Sequence, residues 1–430
     1  MKELFLKLKF IFTDPVLRKK TGFLFAMILV FRLFAAIPLP DVNHVVLADK
    51  IQNSFLAMIN MFSGGGFQKV SIVMLGVMPY ITASIIMQVL EMAFPKLKEM
   101  KKEGGEAGRM KIANISRIMS VFISAISAFG FIHLLQASNI LPQQMTGFHM
   151  FINILVAVTG AVFLMWIGEL ISEFGIGNGL SLLIFAGIIA SAPSTMNIAY
   201  NTVTENADKL PQVIGIFVFL LVLIYLIVFV SEAERPIPIH QTRSVRAGEK
   251  AQTIQTFLPI KLNQAGVIPI IFAISILMFP QMIYGFLTYS HLISPDSYFK
   301  VVIDFLNQTF VQATVYFVLV FFFTFFYTAV TFDPKEMAEN LQKAGNFIPG
   351  IRPGEDTEDF LGKITTRVTF IGAVFLGFVA VIPVLIGSLT GMQSLSIGGT
   401  SLLIVVSVGI DLIRKINAQI SVREYLTSLD

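Results

Sequence analysis

Ten apolar stretches, each close to the roughly 20 residues that cross about 30 Å of hydrocarbon, leave this chain few folds to choose from. They lie near 22–39, 77–94, 112–135, 150–170, 180–196, 212–231, 264–287, 309–332, 367–389 and 399–414. Lipid supplies no partners for loose backbone N–H and C=O groups, so such stretches are expected to span as helices. Charged residues are 13% of the chain, against roughly 25% in soluble domains. The expected class is therefore an all-α polytopic membrane protein with ten transmembrane helices. The absence of Cys excludes disulfides, thiol catalysis and Cys-ligated metals.

The placement of the cations tests that count. With ten spans, nearly all Lys and Arg outside them fall in segments sharing a side with the N-terminus. The opposite side holds Lys50, Lys69, Lys209 and Lys300. Both termini are then expected in the cytoplasm. The connection 171–179, with Glu173 and no cation, departs from the pattern. Residues 1–20 carry Leu4, Leu8 and Ile11 on one helical face with Lys2, Lys7 and Lys9 elsewhere. They read as an amphipathic cytoplasmic segment lying on an anionic surface.

One apolar entry occurs twice. Residues 76–86 and 266–276 share Gly, Val, Pro, Ile, Ala and Ile in register: Gly76/Gly266, Val77/Val267, Pro79/Pro269, Ile81/Ile271, Ala83/Ala273 and Ile86/Ile276. Chance matching in an apolar chain is one explanation; internal duplication is the other. Under the ten-span topology the two copies run in opposite directions. Duplication would then make two inverted five-helix halves, 21–200 and 201–430. The polar stretch 192–211 is the expected hinge between them.

Residues 64–75 fit no span. Gly64, Gly65 and Gly66 read as a flexible hinge, and 67–75 is too short to cross. A short helix re-entering from the outer side against protein is one reading; an ordinary outer loop is the other. Two cytoplasmic loops, 232–263 and 333–366, are long for a compact membrane protein. Arg352 sits among Pro349, Gly350, Pro353 and Gly354, a setting that stiffens a projecting turn suited to an anionic partner. The simpler reading of the basic residues in both loops is a solvated face obeying the charge rule.

Little chemistry is visible. Arg32 reads as the only charge clearly inside a span, while Glu91, His133, Glu169 and Asp411 fall toward span ends. A solute transporter would ordinarily keep polar groups near the midplane, and no nucleotide, metalloprotease or nucleophile motif is present. No enzyme activity, cofactor or metal is expected. The repeated entry offers aliphatics instead. Val77 and Ile81 are four apart on one helical face, as are Val267 and Ile271, and Leu180 and Ile184. They are either ordinary buried contacts or a narrow apolar collar that seals by dewetting.

Residues 60–65, 76–88, 175–187, 258–269, 347–355 and 398–406, in that order and spacing, resemble the SecY family of protein-conducting channels. The resemblance covers essentially the whole chain. It implies a pore ring of Val77, Ile81, Leu180, Ile184, Ile271 and Ile404. Val77 and Leu180 stand where the family often has Ile; a sealing ring needs volume and branching, so function is expected to survive the change. It implies a re-entrant plug helix over 64–75, with Gly64, Gly65, Gly66, Phe67, Lys69, Ile72 and Leu75. Spans 2–3 and 7–8 correspond to a lateral gate bearing Ile86, Gln88 and Phe279. Arg352 corresponds to the residue through which the SecA motor engages the channel. Arg243 and Arg246 are further candidates for motor or ribosome docking, although Pro236 departs from the family pattern in that loop.

The implied function is passage of unfolded secretory polypeptides across the bacterial cytoplasmic (inner) membrane and lateral release of apolar segments into the lipid bilayer. The implied partners are SecE, SecG, SecA and the ribosome, with energy supplied from outside. An inverted-repeat secondary solute transporter is the competing function.

Overall fold

A computed structural model describes residues 13–40, 42, 70–137, 140–142, 145–241, 254–289, 298–390 and 398–427. Each expected span falls on a helix. In chain order the helices are α1 (Pro15–Ala36), α2 (Met78–Ala93), α3 (Pro95–Glu103), α4 (Gly105–Ala137), α5 (Gly147–Phe174), α6 (Gly179–Glu205) and α7 (Leu210–Glu232). After strands β1 (Glu234–Gln241) and β2 (Ile254–Lys261) come α8 (Ile268–Tyr289), α9 (Tyr298–Asn307), α10 (Thr309–Thr331) and α11 (Pro334–Lys343). A two-residue β3 (Asn346–Phe347), α12 (Glu355–Thr390) and α13 (Gly398–Thr427) complete the chain.

Among the described residues, six stretches are helical, long and apolar enough to cross a membrane: Gly105–Gln136, Gly147–Phe174, Gly179–Glu205, Ala207–Glu232, Thr309–Lys343 and Glu355–Thr390. Met78–Ala93 is a shorter apolar helix, and Ile268–Leu277 is an apolar stretch of α8. The protein is thus a helical membrane protein, with most of its buried side chains in one contiguous apolar cluster.

Local chemistry explains where several helices begin. The Asp14 carboxylate accepts from the N–H groups of Val16 and Leu17 at 2.7 and 3.1 Å, with Pro15 filling the first helical position. A side-chain oxygen there satisfies donors the helix itself leaves unpaired, and Pro has no N–H to lose. Asp333 repeats the arrangement for α11, accepting from Lys335 and Glu336 with Pro334 at the start.

Four expectations need correction. The all-α reading omits a small antiparallel sheet in the order β2-β1-β3. Ile237 and Ile239 alternate inward along β1, and with Ile260, Leu341, Ile348, Leu361 and Val368 they form a second apolar cluster. β1 is paired with β3 only at His240 and Gln241. Pro236 and Pro238 therefore lie where β1 has one open side, a setting that tolerates a residue without N–H.

That cluster also corrects the picture of 232–263 and 333–366 as loops. Strands, α11 and the first turns of α12 build a folded platform from them.

The third correction concerns 192–211. These residues are helical apart from Asn206, because α6 continues through Pro193 to Glu205. A single residue separates it from the turn leading to α7. The fourth is α9, which lies between the seventh and eighth spans and was not expected.

Candidate functional site

The two copies of the repeated entry have the same backbone. Gly76 and Gly266 adopt left-handed φ values of 59° and 62°, a conformation that costs a side chain free energy. Each helix then starts two residues later, at Met78 and Ile268. In both, the valine carbonyl accepts the first helical N–H: Ile81 to Val77 at 3.1 Å, and Ile271 to Val267 at 3.3 Å. Pro79 and Pro269 fall in the first turn, where no intrahelical N–H bond is lost. The sequence match is therefore a structural match.

A third entry positions Leu180 and Ile184. Gly177 is left-handed (φ 96°), and Asn178 caps α6 by accepting from Leu180 and Ser181. Ser172 Oγ accepts from the Gly179 N–H at 2.9 Å. A Cβ on Gly179 would lie 2.0 Å from the Gly168 carbonyl oxygen, so only glycine lets α6 approach α5 this closely. The Gly-Ile-Gly-Asn-Gly run thus supplies a turn, a cap and a close helix contact.

Val77, Ile184, Ile271 and Ile404 are buried within the main cluster, and Ile81 and Leu180 pack against it partly buried. The six side chains come from α2, α6, α8 and α13 and the residue preceding α2. None of the six points out as an exposed side chain.

Of the plug residues, Ile72 and Leu75 are described; Gly64, Gly65, Gly66, Phe67 and Lys69 lie outside the described residues. Val70 and residues 72–77 form turns and Ser71 an antiparallel β-bridge with Pro38, which corrects the helix expected over 67–75 for its described part. Val70 is buried with φ 46°. Two hydrogen bonds hold the segment to the end of α1: Leu39 N–H to the Val70 carbonyl at 2.8 Å, and Ile72 N–H to the Ile37 carbonyl at 3.0 Å. On its other side the Ile72 carbonyl fits a notch in α5, where a Cβ on Gly160 would lie 2.0 Å from its oxygen.

Ile86 is exposed and Gln88 half-buried on α2. Phe279 lies in α8, with its side chain outside the described set. Both α2 and α4 touch α8. Arg352 is exposed in a turn bounded by left-handed Gly350 and Gly354 (φ 80° and 106°). Its carbonyl accepts from Thr357 Oγ1 at 2.8 Å, which ties the turn to the first residues of α12. Arg243 and Arg246 lie outside the described residues.

One set of residues escaped the sequence reading. Arg117 lies within the third span, which corrects the assignment of Arg32 as the only interior charge. Its Nε donates to Glu169 Oε1 of α5 at 2.8 Å, and its Nη1 donates to Asn114 Oδ1 at 2.8 Å. The Tyr80 hydroxyl of α2 donates to the same Glu169 oxygen at 3.5 Å. Each residue was visible on its own; that they meet depends on three helices packing together.

A family model described as SecY matches residues 71–413. The protein translocase subunit SecY of Halalkalibacterium halodurans is 39% identical over 427 residues, covering 96% of this chain and 97% of that protein. The same subunit of Staphylococcus aureus is 37% identical over 428 residues, with 96% and 97% covered. Among solved structures, a protein-conducting channel superposes with a TM-score of 0.68 at 19% identity, covering 94% of this chain and 93% of that one. Sec61 in a canine ribosome-channel complex superposes at 0.64 and 18% identity, over 94% and 93%.

Proposed function

We propose a function from one premise: this chain belongs to the SecY family. It is a protein-conducting channel of the membrane, a translocase subunit and not an enzyme. Relatives that are translocase subunits favour this over the solute transporter.

Ten spans in two inverted five-helix halves cross the bacterial cytoplasmic membrane, with both termini inside. The halves meet at a ring of Val77, Ile81, Leu180, Ile184, Ile271 and Ile404. Branched aliphatics seal such a constriction because water in a narrow apolar neck loses hydrogen bonds it cannot replace. The same side chains yield to a polypeptide without selecting its sequence. Residues 64–75 act as the plug on the outer side. Parting of α2 and α4 from α8 and α10, past Ile86, Gln88 and Phe279, opens a way for apolar segments into lipid.

The cytoplasmic platform presents Arg352, and with it Arg243 and Arg246, to the SecA motor or a translating ribosome. SecE and SecG complete the membrane complex.

The single observation that carries this reading is the shared entry. Two left-handed glycines, each followed by Val and Pro, deliver aliphatics from both halves of the chain into one apolar cluster. Ile404→Asn tests it by placing an amide in the seal. The expected result is a raised resting ion conductance of the purified channel in planar bilayers; wild-type conductance would end the ring assignment.

A further inference from the structure

Glu169 joins three helices at one carboxylate. Arg117 reaches it from α4 and Tyr80 from α2, while Glu169 itself belongs to α5. Arg117 is six residues beyond Lys111, about 9 Å further along the helix at 1.5 Å per residue. Both side chains are partly buried. Both residues fall in stretches expected to span, 112–135 and 150–170, where an ionisable side chain is costly to place and usually serves a function. Asn114 Oδ1 accepts from the guanidinium's Nη1 at 2.8 Å, a second contact that restricts its orientation.

Tyr80 is the informative member. It lies between Val77 and Ile81, the two ring residues at the α2 entry, and about 100° around the helix from Ile81. Holding its hydroxyl fixes the rotation of α2 about its own axis at that level. The first turn of α2 needs such support. Its N-terminal residue has no side-chain cap, and a left-handed glycine immediately precedes Val77.

We propose that Glu169 is a positioning residue for the seal: charge-paired with Arg117, it holds the Tyr80 hydroxyl and so sets the angle at which Val77 and Ile81 face the opposing aliphatics. The carboxylate transfers the rigidity of the α4–α5 pair to the helix that must keep the pore closed. This deepens the ring reading above and rests on it.

The test is resting ion conductance of the purified channel complex in planar bilayers, with thermal stability measured in parallel. Tyr80→Phe keeps the ring and its packing and removes only the hydroxyl. It is expected to raise conductance by up to about fivefold, the ceiling that one ordinary hydrogen bond sets on a closed–open ratio, since the contact is long at 3.5 Å, with the melting temperature unchanged. Glu169→Ala is expected to raise it further. Tyr80→Phe added to Glu169→Ala should then add little, because the only contact left to the hydroxyl is with Ser84 of the same helix, which does not tie α2 to α5.

Wild-type conductance for Tyr80→Phe overturns the proposal, even where Glu169→Ala destabilises or fails to assemble. A fall in melting temperature without any rise in conductance marks the network as a structural contact alone, and also overturns it. Ile404→Asn in the same bilayers separates the two claims. If it leaks while Tyr80→Phe does not, the ring stands and the role of Glu169 falls. If it does not leak, the ring reading itself has failed.

Discussion

Gly266 offers a test of the repeated entry in which a single physical effect is at stake. Its φ is +62°, and a Cβ built there meets nothing within 4 Å. Replacing it by Ala therefore creates no collision with neighbouring elements; the whole penalty is the local cost of a left-handed L-residue, about 1–2 kcal/mol. Ala also narrows the unfolded ensemble, an effect worth about 0.4–1 kcal/mol in the opposite direction. The net expectation is a loss of about 1 kcal/mol, roughly a fivefold fall in the folded-to-unfolded ratio.

The ranking is more diagnostic than the size. Asn tolerates the left-handed region and should cost less than Ala, while β-branched Val should cost more. Denaturant unfolding of the detergent-solubilised complex, followed by the fluorescence of the single tryptophan, Trp166, measures all three. Gly76, at φ 59°, should give the same order. Equal stabilities for Ala, Asn and Val at position 266, or a stabilised Gly266→Ala, would refute the argument that backbone conformation selects glycine there.

Two further predictions concern other parts of the fold. Gly160→Ala places a Cβ 2.0 Å from the Ile72 carbonyl oxygen. The overpacking cost of about 1–3 kcal/mol should exceed the gain of about 1 kcal/mol in helix propensity, so lower stability in the same unfolding assay is expected. Arg352→Glu should abolish motor-driven export into membrane vesicles while leaving the helical circular dichroism unchanged, because the turn is built by Gly350, Gly354 and Thr357 and not by the guanidinium. Normal export by that variant would remove Arg352 from the docking reaction.

Much of the site was legible because its signals are local. Gly76-Val77 and Gly266-Val267 announced their kinship as letters, and the structure adds their matching φ values. The Gly175–Asn178 turn and Arg352 between glycines were likewise readable one residue at a time. The platform was less legible. Asp333-Pro334 is a helix-start signal and could have been read as one. Ile237 and Ile239 have the alternation of a strand, but two prolines among them read as loop. The carry-through of α6 past Pro193 was hidden because a proline and polar residues ordinarily mark an end.

By itself, then, the sequence determined that the chain crosses a membrane as helices, where its apolar helices lie, and which aliphatics stand at the repeated entries. Hydrocarbon forces every spanning segment to satisfy its own backbone, so those facts are written within each segment of about 20 residues. Only tertiary structure decided that Arg117, Glu169 and Tyr80 meet, that Ile72 seats against Gly160, and that the two long stretches between spans share one apolar core. Those depend on the rotation and separation of helices whose faces are nearly uniform in hydrophobicity. Such faces encode burial but not which neighbour will bury them.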